Sequence, residues 1–478
     1  MQTDKYSVVV VDLGTDKIKA ALAEKLPDGT LDILERTEIP AEGCIVRGVV
    51  FNQRITAEKL SLLLQELEET THGTERITKV YTGIGGQGLR SKIEEHDLPF
   101  PDEREITAED LTDLSQRLLE DQDSPYTTLD SVDPLYHVNG NLTANPVGIK
   151  AKSLRVRSQR ILTKRQIPDS IRDVIVDKLG LEIANINVSP IILGNTFLTK
   201  EQKKLGSAII DFGCGCTTVA LYNNGVLAGL RTFPLGSQNI TLDLTALHIG
   251  VSEAERVKKN DGSADASKAK DEQILVKNAD ERSSRQIPLY EINQYVEART
   301  REIVDNIAAF VHEVLGENSL PGGVVLTGGG SKLKELPQLI TNVLQTKVEL
   351  STKTNDLGNT YYIANPEWNL VYSMCLEADT PCTEPVVVPQ PEEKRQDNPP
   401  LNPPVTDFPE DDELPEQKPL IPDDLLGERI KKEQQDTKPN TVKRRNKKTE
   451  KKSGLGFKGW IEGFLNPLMP PEDDEDNM

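Results

Sequence analysis

Asp211 ends an apolar run, Ile209-Ile210, and is followed by Gly213 and Gly215 among small residues before Thr217 and Thr218 lead into a second apolar run to Tyr222. That order spells strand, tight loop, strand. Glycines let a backbone approach a phosphate closely, because no Cβ intervenes and positive φ costs little. Successive loop N–H groups can then form an anion nest, and an aspartate at the strand end can hold Mg²⁺ directly or through water. One such loop could equally be an ordinary hairpin turn. The N-terminus supplies a second: Val8 to Val11 reach Asp12, Gly14 and Thr15, and alternating residues from Lys17 follow. Each loop enters a candidate hairpin, turning at Asp28-Gly29 in one copy and at Asn224-Gly225 in the other. A strand–Asp–Gly loop repeated once per half predicts two related lobes with a nucleotide phosphate chain between them.

The paired loops resemble the phosphate 1 and phosphate 2 motifs of the actin, Hsp70 and sugar kinase superfamily. The resemblance implies a two-lobed actin-like α/β fold that binds ATP with Mg²⁺. Asp12 and Asp211 would then stand on the metal side, through water, and Gly14, Thr15, Lys17, Gly213, Gly215 and Thr217 on the phosphates. In Ile240 to Lys259, Glu255 and Lys258 sit three apart and so share a helical face. Alone they could be a surface ion pair; the resemblance makes them the ribose contact. The run Gly322 to Leu336 carries a strand into Gly328, Gly329 and Gly330, with a helix expected to open at Ser331 and Lys332. It resembles the adenosine motif. Ser189, before Pro190, stands where the superfamily often has a carboxylate or amide that orients the attacking water. A hydroxyl is a poor base at neutral pH, so the pattern implies nucleotide binding with at most slow hydrolysis.

Cys214 and Cys216 could suggest a metal or redox pair, but no second pair of Cys or His lies near them in sequence. Small side chains in a crowded loop explain them equally well. The five cysteines show no paired framework and the N-terminus no signal peptide, which predicts a reduced, cytoplasmic protein. A formal charge of −21 argues against a nucleic-acid partner. No run of eighteen apolar residues exists to span a bilayer.

Around these motifs the chain divides by pattern. Residues 1–84 read as the core of lobe 1, with a helix near Ala57 to Glu69 whose Leu60, Leu63 and Leu64 share one face. Gly43 to Val50, and Tyr81 to Ser91 with its Gly85-Gly86-Gln87-Gly88 cluster, resemble segments of one subfamily, the bacterial cell-division actin homologue FtsA. As chemistry the glycine cluster is only a turn. Residues 85–163 would be an inserted interaction subdomain, in which Asn145 to Gly148 again resembles FtsA. Residues 164–205 return to lobe 1. Lobe 2 would run from 206 to 232 as core, from 233 to 317 as an outer subdomain and from 318 to 380 as adenosine motif and return helix. In Tyr290 to Leu315, Arg299 and Glu302 resemble the FtsA helix that docks the C-terminal peptide of the tubulin homologue FtsZ, although a solvated helix face fits the same residues.

The remainder changes character. Residues 381 to 422 hold 12 prolines in 42 residues with acidic runs, so 381–453 is expected to be a disordered linker. It ends in a basic block, Lys443 to Lys452. In 454–469, Phe457, Trp460, Ile461, Phe464, Leu465 and Leu468 fall on one apolar arc of roughly 140°. The reading is a membrane-surface helix beside anionic lipid, with a partner groove or a packed terminal helix as alternatives. The acidic 470–478 would be repelled by that surface. FtsA proteins end in a similar tethered helix, which implies a filament-forming protein at the cytoplasmic face of the cell membrane that holds FtsZ at the division site beside other division proteins. A sugar or acetate kinase would leave the tail without a purpose, and an Hsp70-like chaperone would need a β-rich domain after 380.

Overall fold

The computed structural model describes residues 5–119, 125–143, 145–280, 282–316, 320–351 and 365–386. The expected linker beyond 386, the basic block, the amphipathic segment with Phe457 to Leu468 and the acidic end lie outside the described residues.

Two sheets carry the molecule, and they share one plan. In lobe 1, Tyr6–Leu13, Lys17–Lys25 and Leu31–Pro40 form an antiparallel meander; Lys79–Ile84 and Glu182–Val188 then add in parallel on the other side of Tyr6–Leu13. In lobe 2 the meander is Ser207–Phe212, Thr217–Asn223 and Val226–Phe233, with Val324–Thr327 and Val348–Leu350 added in parallel beside Ser207–Phe212. Counted within each lobe, both orders are 5-4-1-2-3. Val8 to Val11 and Ile209-Ile210 are almost wholly buried, as the first strand of each meander must be when neighbours lie on both edges and helices on the faces. The second meander turns through Asn224 (φ 53°) and Gly225 (φ 85°). A two-residue hairpin needs that left-handed pair, because it matches the twist of the strands.

Helices cover the sheets through apolar stripes. Gln53–Thr70 is capped by Asn52, whose side chain accepts from the Ile55 N–H at 3.1 Å, and it buries Leu60, Leu63, Leu64 and Leu67. It starts four residues earlier than its leucine spacing alone suggests, because Asn52 supplies the cap. In lobe 2, Leu289–Leu315 buries Ile292, Val296, Ile303, Val304 and Ile307.

The insertion has its own small core of Phe100, Ile106, Leu114, Tyr136, Val138, Leu154 and Val156. Its long strands Arg90–Glu105, Tyr126–Val138 and Lys150–Lys164 run antiparallel, and Ala108–Leu119 packs beside them. Although it interrupts lobe 1 in sequence, it joins the sheet of lobe 2, where Arg90 pairs with Arg231 at the edge of Val226–Phe233. The folded part also runs past 380. Cys382 is fully buried and Thr383–Pro385 pairs with Glu75–Ile77. Proline at the end of a short edge strand leaves no ladder donor missing, so composition at 381 marked the boundary too early.

Candidate functional site

The cleft between the lobes is built by the ends of the two meanders. Asp12 is the penultimate residue of its strand and Asp211 of its own, so equivalent positions of the duplicated plan bring two carboxylates to one cavity of about 450 Å³. Gly14, Thr15, Lys17, Gly213, Gly215, Glu255, Lys258, Gly328, Gly329, Gly330, Lys332 and Ser189 also line it.

The loops interlock rather than merely face each other. A Cβ on Gly215 would sit 2.8 Å from Thr15 Oγ1 and 3.0 Å from Arg47 Cα. Thr15 Oγ1 accepts from the Gly48 N–H at 3.1 Å, and Cys216 Sγ donates to the Arg47 carbonyl at 3.4 Å. Gly48, at φ 73°, crosses Gly86 so closely that a Cβ there would be 2.5 Å from Gly86 Cα. Thr218 Oγ1 donates across to the Gly85 carbonyl at 2.9 Å. Gly48 and the Gly85-Gly86 pair, whose glycine cluster sequence alone reads as a turn, therefore form part of the cleft wall. The only sequence signal for this was their resemblance to FtsA, since the contact is non-local.

Two of the expected residues lie elsewhere. Thr217 is fully buried, and its hydroxyl donates to the Leu235 carbonyl at 2.8 Å; its neighbour Thr218 faces the cleft. Side chains alternate along a strand, so a one-residue offset in reading the strand start exchanges the two. Ser331 is also buried, donating to the Gly328 carbonyl at 2.6 Å and closing a 3₁₀ turn over Gly329–Lys332. The helix expected at Ser331 begins at Leu336, where Pro337 is accommodated in the first turn.

Charge in the cleft is largely paired. Lys258 Nζ lies 2.7 Å from Glu255 and donates to the Ser237 carbonyl at 3.0 Å and to Thr241 Oγ1 at 2.8 Å. Burial opposes ionisation of Glu255, but its bonds to Lys258 and Thr241 prevail and hold its carboxyl below the usual range. Lys332 Nζ reaches Glu367 at 2.7 Å, while Lys19 Nζ donates to the Glu367 carbonyl at 2.5 Å and sits 3.9 Å from Asp12. Lys17 turns to Glu38. Burial pushes the Asp12 carboxyl up against the pull of Lys19. Asp211 goes further, to about 6, through burial first and the facing charge of Asp12 second. Two half-buried carboxylates with one nearby lysine invite a cation. Among the described residues no cluster of three or more His, Cys, Asp or Glu side chains could hold a metal unaided.

Burial raises the thiols of Cys214 to about 11 and Cys216 to about 12, so both are neutral at pH 7. Thiolate is the form that binds metal or attacks disulfides, and these thiols act as packing groups. On the outer face of lobe 2, Arg299 bonds Asp243 through Nε at 2.6 Å and Nη2 at 3.1 Å and also contacts Glu302, tying Leu289–Leu315 to Ser237–Leu244.

The profile of the family described as Cell division protein FtsA matches residues 208–373, the stretch holding the second loop, Glu255, Lys258 and the triple glycine. The FtsA of Porphyromonas gingivalis is 28% identical over 377 residues, 78% of this chain and 79% of that protein; that of Bacillus subtilis is 29% identical over 353 residues, 72% and 78%. The chain is thus similar to FtsA proteins over about three quarters of its length. Its fold is also that of a solved type IV pilus biogenesis complex, PilM-PilN, at a TM-score of 0.54 and 14% identity over 79% of this chain and 99% of that one. No helix among the described residues is long and apolar enough to cross a membrane.

Proposed function

We propose that this chain acts as an FtsA: that it binds ATP with Mg²⁺ in the inter-lobe cleft, assembles into filaments, and holds FtsZ filaments at the cytoplasmic face of the cell membrane during division. The single observation that carries the nucleotide reading is the pair Asp12 and Asp211, placed by a duplicated hairpin at the two sides of one glycine-walled cavity. The residues fit the groups. Gly14, Gly213 and Gly215 leave room where a side chain would meet backbone or Thr15, and bare backbone there suits phosphate oxygens. Asp12 and Asp211 would hold Mg²⁺ through water, the phosphates supplying its other oxygen ligands. Magnesium would neutralise phosphate charge, and Glu255 and Lys258 would hold the ribose, with Gly328 to Gly330 against the nucleoside. No carboxylate replaces Ser189 at the expected water-orienting place, which supports slow turnover and a nucleotide that sets assembly state.

The membrane reading rests on the sequence pattern of 443–469. Full-length protein should co-sediment with vesicles containing anionic lipid at low salt, whereas a version ending at 452 should stay in the supernatant. Equal behaviour of the two would remove the anchor. ATP is expected to increase the bound fraction by promoting assembly.

The FtsZ peptide is proposed to dock where Arg299 and Glu302 meet Ser237–Leu244. Because Arg299 already holds Asp243, Arg299→Glu would place a third carboxylate beside Asp243 and Glu302. Titration with an FtsZ C-terminal peptide should show at least about a tenfold loss of affinity, with nucleotide affinity unchanged. Wild-type peptide affinity in the variant would move the docking surface elsewhere.

A further inference from the structure

The cleft contains a polar group that none of the assigned contacts uses. Ser189 is 1% exposed, lines the cavity, and among the described residues its Oγ has no hydrogen-bond partner. A buried hydroxyl left unpaired costs free energy comparable to a lost hydrogen bond, so a ligand atom that accepted from it would recover that cost. Ser189 is also the first residue of a nine-residue helix, Ser189–Phe197, preceded by Val188, which has no side-chain cap to offer. The N–H groups of Ser189 and Ile191 therefore lack the in-helix acceptors that later residues enjoy, and Pro190 between them has no N–H to satisfy. The positive end of the helix dipole adds to these donors. The wall facing the hydroxyl has been kept bare. A Cβ on Gly83 would lie 2.6 Å from Ser189 Oγ, and one on Gly85 would lie 3.2 Å from Ser189 Cβ.

We infer that Ser189 Oγ and the N-terminus of Ser189–Phe197 form a phosphoryl-binding subsite that receives the terminal phosphate of ATP, or inorganic phosphate beside bound ADP, and so lets the protein distinguish the two nucleotide states. The hydroxyl donates to a phosphate oxygen; it takes no proton and forms no bond. This deepens the ATP reading and rests on it. It gives Ser189 a role suited to serine chemistry, where orienting a nucleophilic water would call for a stronger acceptor.

The test is Ser189→Ala in the full-length chain, with ATP, ADP, and ADP plus inorganic phosphate titrated in the presence of Mg²⁺. A hydrogen bond to a charged acceptor corresponds to about tenfold or more in affinity. ATP affinity should fall about tenfold and ADP affinity should change less than twofold. If retained phosphate is the occupant, phosphate should tighten ADP binding in the wild type and not in the variant. If only the triphosphate is, phosphate should have no effect in either protein. The nucleotide-free variant should melt at or above the wild-type temperature, because an unpaired buried hydroxyl has been removed. Equal losses for ATP and ADP, an unchanged ATP-to-ADP ratio with slower turnover, or a marked drop in the nucleotide-free melting temperature would each overturn the subsite. Wild-type protein that binds neither nucleotide would overturn the ATP reading itself.

Discussion

Asp211→Asn is expected to abolish most Mg²⁺-dependent ATP binding while making the nucleotide-free protein more stable. The two effects share one cause. Burial and the facing Asp12 lift the Asp211 carboxyl to about 6, above the ordinary aspartate value near 3.9 of an unfolded chain. The folded protein therefore holds the proton more tightly than the unfolded chain does. Below about pH 4 both states are protonated and no cost arises. Between about 4 and 6 the unfolded chain releases its proton first, and stability falls as pH rises. At pH 7 the ionised folded group costs on the order of 2–3 kcal/mol before its partial exposure is discounted. Asparagine removes that cost, so the nucleotide-free melting temperature at pH 7 should rise by a few degrees. The gain should shrink as the pH is lowered through 6 to 4. Asparagine also removes one of two anions that attract Mg²⁺, and MgATP affinity should fall about 10- to 100-fold. Wild-type affinity for MgATP should itself weaken below about pH 6. Calorimetric titration and thermal unfolding across pH 4–8 read both effects. Undiminished MgATP affinity in the variant would remove Asp211 from the metal side.

The duplication is legible because each phosphate loop is a local pattern: a buried strand, an aspartate at its end and a glycine turn lie within about ten residues. Helix faces such as Leu60, Leu63 and Leu64 are legible for the same reason. What failed or stayed hidden depends on partners distant in sequence. Thr217 and Thr218 differ only in parity, which is fixed by where Ser207–Phe212 and Thr217–Asn223 come into register. The Gly48–Gly86 crossing requires two segments nearly forty residues apart to meet with no side chain between them. Attachment of the insertion to lobe 2 rests on Arg90 meeting Arg231, and no period or composition announces it. Arg299 looks from sequence like a free cation on a helix; only the fold brings Asp243 under it.

Gly328→Ala is expected to damage both stability and nucleotide binding severely, whereas Gly329→Ala should fold almost normally. Gly328 has φ 85°, where an L side chain is strained, and a Cβ would lie 2.3 Å from Asp211 Oδ1 and 2.6 Å from the Phe212 carbonyl. Neither neighbour can retreat freely. Phe212 is fully buried, and Asp211 is held in register with Thr327 on the parallel strand. The backbone must therefore open where the triple glycine meets the second phosphate loop, at a cost of about 3 kcal/mol or more. At Gly329 the added methyl would, among the described residues, meet nothing nearer than Glu367 Cγ at 3.4 Å, an ordinary van der Waals contact, and the change should stay within about 0.5 kcal/mol. Thermal unfolding of the two nucleotide-free variants separates them, and MgATP titration of Gly328→Ala measures how far Asp211 has been displaced. Similar melting temperatures would mean that this crossing is not the rigid joint between the adenosine side and the metal side of the cleft. A large loss confined to Gly328→Ala would locate that joint at a single backbone position, with Asp211 oriented partly by the missing side chain opposite it.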